Sequence, residues 1–153
     1  MPDDGLFVWY KVLALVLGGV FGSFAALVVY RLPRGESIVR PASRCPGCQT
    51  PIRWHDNLPI LGYVLVGGRC RACRTPISLR YPLIELLLAV LSLACLLLGA
   101  ARVLDSLTPW VAITVWFFPF VFCWLLITVT FIDLEHLRIP HVLTLMGIVC
   151  GLA

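Results

Sequence analysis

Four cysteines stand in two close pairs. The first is Cys45-Pro46-Gly47-Cys48; after 21 intervening residues comes Cys70-Arg71-Ala72-Cys73. Two such knuckles can bring four thiolates to one tetrahedral zinc ion. Pro46 and Gly47 suit the tight turn of the first knuckle, and Ala72 that of the second. Arg44, Arg69, Arg71 and Arg74 surround them with positive charge, which favours the thiolate forms that bind metal. All four ligands would come from protein, so the site reads as structural rather than catalytic. A redox dithiol, or four reduced thiols without metal, is the alternative reading. Cys95, Cys123 and Cys150 stand singly in apolar surroundings and read as small packing residues.

A second cluster is acidic. Asp133, Glu135 and His136 follow an apolar stretch that lacks any charge over residues 110–132. A carboxyl at the edge of lipid is easier to protonate than one in water, which suits general acid–base work. The plainer reading is that charge marks where the helix meets water. If the helix continues, Glu135 faces away from Asp133, while His136 lies one turn on and within reach. A metal set of Asp133, His136 and His141 matches no familiar spacing. His55, beside Asp56, reads as polar surface.

The elements that hold these groups follow from composition. The chain has 153 residues, 60% of them hydrophobic and only 13% charged, with a mean hydropathy of +0.96. Soluble domains carry about 45–50% apolar and about 25% charged residues. A globule of this length could not hide so much apolar surface, and disorder is excluded for the same reason. The fold class this predicts is an all-α polytopic membrane protein. Crossing the hydrocarbon core takes about 20 helical residues. Residues 6–30, 82–101 and 110–132 meet that length, and 139–153 begin a fourth span that ends at 15 residues. Pro109 suits a helix start and Pro119 a kink.

Charge sets the orientation. The total is +4, but residues 31–81 hold nine of the twelve basic residues against Glu36 and Asp56. The positive-inside rule places that island in the cytoplasm and the N-terminus outside. A secretory signal is excluded, since Asp3 and Asp4 precede the apolar run and the arginines follow it. A cytoplasmic loop also argues against stable disulfides. Trp9, Tyr10, Tyr30, Tyr81 and Trp110 fall where the interfaces are expected. Nucleic-acid binding is not expected: lipid attraction accounts for the arginines, and stacking aromatics are few. Gly18, Gly22 and Ala26, at spacing four, give the first span a small-residue face for helix packing or for a dimer. No internal repeat stands out. Three units follow: residues 1–30 as the first span, 31–81 as a cytoplasmic four-cysteine zinc-ribbon-like domain with short β-hairpins, and 82–153 as further spans.

In this order the pieces resemble the bacterial prepilin peptidases, the type IV leader peptidases of the membrane aspartic class. Gly22-Ser23-Phe24 and Tyr30-Arg31-Leu32-Pro33 are similar to the family's first-span signature. Ser43-Arg44-Cys45-Pro46-x-Cys48 and Gly68-Arg69-Cys70-Arg71-x-Cys73 are similar to its knuckles, with Asp56-Asn57-Leu58-Pro59 between them. Ile77-Ser78-x-Arg80-Tyr81-Pro82-x-x-Glu85 is similar to the entry to its second span. Asp133-Leu134-Glu135-His136-x-x-Ile139-Pro140 resembles the segment around its first catalytic aspartate. Ala26 stands where the family has an asparagine, and Gly62 and Gly67 where it commonly has serine and arginine.

The resemblance implies an inner-membrane enzyme that cuts the basic leader from type IV prepilins or pseudopilins, after a glycine and on the cytoplasmic side. It also implies methylation of the new N-terminus from S-adenosylmethionine. Asp133 would be one of two aspartates activating water, one ionised and one protonated. Glu85 and the 45–73 loop are the methyltransferase candidates. The family's second aspartate belongs to a Gly-x-Gly-Asp segment, which these residues lack; Asp56 and Asp105 do not supply it. The expectation is therefore the first half of such an enzyme, without peptidase activity by itself. Rival readings are a non-catalytic membrane-anchored zinc ribbon that binds a partner, and a regulatory form that pairs with a relative through the glycine face.

Overall fold

The computed structural model describes residues 4–102, 109–137 and 141–152. Its regular elements are all helical, with no strand among the described residues. Helix α1 covers Asp4–Arg31 and is followed by a 3-10 turn over Leu32–Arg34. A second 3-10 turn, Trp54–Asn57, leads to the short helix α2, Leu61–Leu65. Helices α3 (Arg80–Arg102), α4 (Pro109–His136) and α5 (His141–Leu152) complete the chain. Helices α1, α3 and α4 are each long and apolar enough to cross a membrane. Pro109 opens α4, where its missing N–H costs nothing, and Pro119 does not end that helix. Asp105 lies outside the described residues.

Helices α1 and α3 run antiparallel in close contact, because small residues line the seam. A Cβ on Gly22 would lie 2.6 Å from the Glu85 Cα, and one on Gly18 would lie 2.7 Å from the Ala89 Cα. Helix α4 packs on both, and α5 on α4. The shared core includes Ala25, Val29, Ile84, Leu88, Phe120 and Ile132. Hydrogen bonds cross the helices, as lipid burial favours. Ser92 Oγ donates to the Ala14 carbonyl at 2.7 Å. Trp116 Nε1 donates to the Ser92 carbonyl at 3.1 Å, and Trp124 Nε1 to the Phe21 carbonyl at 2.8 Å. Cys95 on α3 has Cys123 of α4 as a side-chain neighbour.

The loop between α1 and α3 departs from expectation in two ways. The short β-hairpins are reduced to single antiparallel bridges, Arg44 with Pro51 and Arg69 with Pro76. Each bridge ends at a proline, whose missing N–H stops a ladder from growing. The chain also holds an internal repeat after all. Arg44-Cys45-x-x-Cys48-x-Thr50-Pro51-Ile52 recurs as Arg69-Cys70-x-x-Cys73-x-Thr75-Pro76-Ile77. The backbone repeats with it. Cys45 and Cys70 donate their N–H to the Thr50 and Thr75 carbonyls at 3.0 and 2.9 Å. Gln49 and Arg74, at the matching corner, take φ of 58° and 61°.

Candidate metal centre and membrane-boundary acid

The two knuckles converge. Cys45 Sγ lies 3.7 Å from Cys73 Sγ, and Cys48 Sγ lies 3.9 Å from Cys70 Sγ. All four sulfurs fall within 4.8 Å of one another. A tetrahedron with metal–sulfur bonds of about 2.3 Å has edges of about 3.8 Å, so the cage has the size of a zinc–thiolate site. Four clustered cysteines of this geometry can hold a metal ion. They also stand in for a core: from residue 32 to residue 79 the only buried residues are Cys45 and Gly62.

The thiols are not equivalent. The Thr75 hydroxyl and backbone N–H, at the end of the second knuckle, lower the Cys73 thiol to about 6. Thr50 lowers Cys48 in the same way. The Cys48 and Gly47 backbone N–H groups favour the Cys45 thiolate, but burial and the neighbouring thiols outweigh them and push it up to about 11. The threonines therefore take the role expected of the arginines, and the nine-residue repeat is the signal that could have found them. Thr75→Val is expected to return the Cys73 thiol toward its ordinary value, seen as a later thiolate absorbance rise in a pH titration of the metal-free chain.

Between the knuckles, Asp56 fixes the second one. Arg71 Nε donates to both of its carboxylate oxygens, at 2.9 and 2.8 Å, and this pairing holds the carboxyl below its usual range. His55 Nε2 lies 3.6 Å from Asp56. Gly62 is a glycine for a local reason: a Cβ there would lie 2.2 Å from the Asp56 carbonyl oxygen.

Glu85 joins this loop to the bundle. It is 8% exposed, with Ser23 of α1 beside it, and its Oε2 accepts the Ile60 N–H at 2.6 Å. Ile60 has φ of 61° and ψ of −51°, an unusual conformation for a β-branched residue that needs such a restraint. Glu85→Ala is expected to cost about 1–3 kcal/mol, because the Ile60 N–H loses its acceptor. Hydrogen exchange at that amide should speed up, whereas Glu85→Gln keeps an acceptor oxygen and should change it little.

The acidic cluster closes α4. Asp133 is half-buried, and its carbonyl accepts the Leu137 N–H at 2.8 Å. Glu135 forms an ion pair with Arg80, the first residue of α3. His136 Nε2 lies 3.9 Å from Glu135 and is buried without a hydrogen-bond partner among the described residues. The side chain of His141 lies outside the described residues. Four thiols thus meet in the loop, and Asp133 stands at the level where α3 begins.

Residues 16–98 match the family model of the bacterial peptidase A24 N-terminal domain. That stretch is more than half of the chain. The chain belongs to this family. Within the A24 N-terminal family match lie the glycine seam, both knuckles and Glu85; Asp133 lies beyond it. A prepilin leader peptidase/N-methyltransferase of Myxococcus xanthus is 40% identical over 151 residues, covering 94% of this chain and 40% of the relative. One of Klebsiella pneumoniae is 48% identical over 86 residues, covering 52% of this chain and 37% of the relative. A type 4 prepilin-like proteins leader peptide-processing enzyme of Escherichia coli is 36% identical over 155 residues, covering 87% of this chain and 52% of the relative. The chain spans about half or less of the length of these curated relatives. No solved structure matches.

Proposed function

We propose that this chain carries the cysteine-loop and first membrane portion of a prepilin leader peptidase that also methylates the N-terminus it exposes. Its units are residues 1–30, 31–81 and 82–153, in a bacterial inner membrane with the N-terminus outside and 31–81 cytoplasmic. Asp133 is one of the two aspartates that hydrolyse the leader peptide bond. One observation carries this reading: Asp133 is held half-buried in the last turn of α4, while Glu135, two residues on, is paired with the start of α3. A prepilin has an apolar segment in the bilayer and a charged leader outside it, so its scissile bond lies at this depth. Two close carboxyls share one proton, the ionised one taking a proton from water and the protonated one donating to the leaving amine.

Cys45, Cys48, Cys70 and Cys73 hold a structural zinc ion that orders the loop. S-adenosylmethionine, when bound, supplies the methyl group. Glu85 serves methylation by keeping the loop on the bundle, since its carboxylate is already engaged with Ile60.

A chimera tests this. The chain is joined to the remaining part of the Myxococcus xanthus relative and given a prepilin in vesicles. The chimera should cleave after the glycine, Asp133→Asn should reduce cleavage by about a thousandfold or more, and the 153 residues alone should not cleave. Undiminished cleavage by Asp133→Asn would overturn the assignment.

A further inference from the structure

The segment before and through α2 runs down the side of the bundle. At its start, Trp54 and Asn57 share an open cleft of ≈ 370 Å³ with Leu27 and Arg31, near the end of α1. At its tip, Pro59 lies against Gly19, where a Cβ would be 3.2 Å from the proline ring. Gly19 is eight residues before Leu27, so the tip lies about 12 Å further along the α1 axis. The Glu85 that binds Ile60 is likewise five residues inside the start of α3, roughly 7 Å below Arg80. The chain therefore re-enters the apolar zone between two membrane-crossing helices.

Most of its backbone N–H groups are paired, which suits that environment, where an unpaired N–H has no water to bond. Pro59 has no N–H. Ile60 donates to Glu85, Leu61 to the Pro59 carbonyl, and Gly62 to the Leu58 carbonyl at 2.8 Å. Yet the side chains that follow face outward. Leu61 is 62% exposed, Val64 68% and Leu65 61%. On α3, Leu83 and Leu86, two positions before and one after Glu85, are open as well, so the patch continues the lipid-facing surface of the bundle.

We infer that residues 58–65 form a re-entrant anchor that inserts into the membrane leaflet on the side where the 31–81 loop emerges. Leu61, Val64 and Leu65 enter the acyl region, and the exposed Arg53, Arg69 and Arg74 meet anionic headgroups. The loop is then fixed to the membrane at three places, the ends of α1 and α3 and this anchor.

The full chain is reconstituted in vesicles of three parts phosphatidylcholine to one part phosphatidylglycerol. A nitroxide is attached through a genetically encoded keto side chain at position 61, 64 or 65, and at the exposed position 36 for comparison. At the three anchor positions, collisions with oxygen should exceed collisions with a water-soluble nickel chelate by about threefold or more, as for a group 5–10 Å into the interface. Position 36 should show the reverse. Nickel collisions at 61, 64 and 65 equal to those at 36 would overturn the inference. So would shielding from both reagents, which would mean that protein or a leader peptide covers the patch. The unlabelled chain gives an independent measure: in vesicles containing a photoactivatable phospholipid, residues 58–65 should carry lipid adducts. Adducts confined to α1, α3 and α4 would also overturn it.

Discussion

Replacing Cys45 with serine should remove bound zinc, taking it from about one ion per chain to below about a tenth. A serine hydroxyl is not ionised at neutral pH and is a poor zinc ligand. Cys45 is also the most buried of the four sulfurs. Structural zinc sites contribute about 10–16 kcal/mol in small peptides, so losing one ligand weakens binding by several kcal/mol. The loop has almost no core of its own, since only Cys45 and Gly62 are buried from residue 32 to residue 79. Metal analysis should therefore fall together with protection of the 40–78 region against protease, while the helical signal of α1, α3 and α4 remains. Chelator treatment of the unmodified chain should give the same pattern. A Cys45→Ser chain that kept both zinc and protease resistance would exclude a four-thiolate site.

Gly22→Ala should damage the bundle strongly. The added Cβ would meet the Glu85 Cα at 2.6 Å, a backbone atom that cannot turn aside. The double change with Gly18→Ala adds a contact of 2.7 Å to the Ala89 Cα. Relief requires α1 and α3 to move apart along their whole seam. Overpacking of this kind costs about 1–3 kcal/mol per site. The shift would also carry Glu85 away from Ile60, so loosening should spread into residues 58–65. Unfolding in mixed micelles should show the lost stability, and hydrogen exchange at Ile60 should show the spread. Gly147→Ala is the control: a Cβ there meets nothing within 4 Å, and stability should not fall.

The spans were legible because lipid leaves little choice. About 20 uncharged residues in a row have one stable form in a bilayer, and residues 110–132 fall wholly within α4. The knuckles were legible because Cys-x-x-Cys spacing is set by metal geometry. The hairpins stop at single bridges because Pro51 and Pro76 break the ladders. Thr50 and Thr75 were missed although the repeat that marks them is visible in the letters. The Glu85 contact was not legible in the same sense. It joins residues 25 positions apart, and it depends on a positive φ at Ile60 that no side-chain pattern announces.

Arg80 belongs to two structures at once. It follows the second knuckle closely, and it holds Glu135, two residues past Asp133. With half of the arginine side chain in solvent the pair contributes little stability. What it sets is register. Sliding α4 by one helical turn, about 5.4 Å, would part the two groups. The height of the Asp133 carboxyl is thus referenced to the first residue of α3, the point where the cysteine loop joins the bundle.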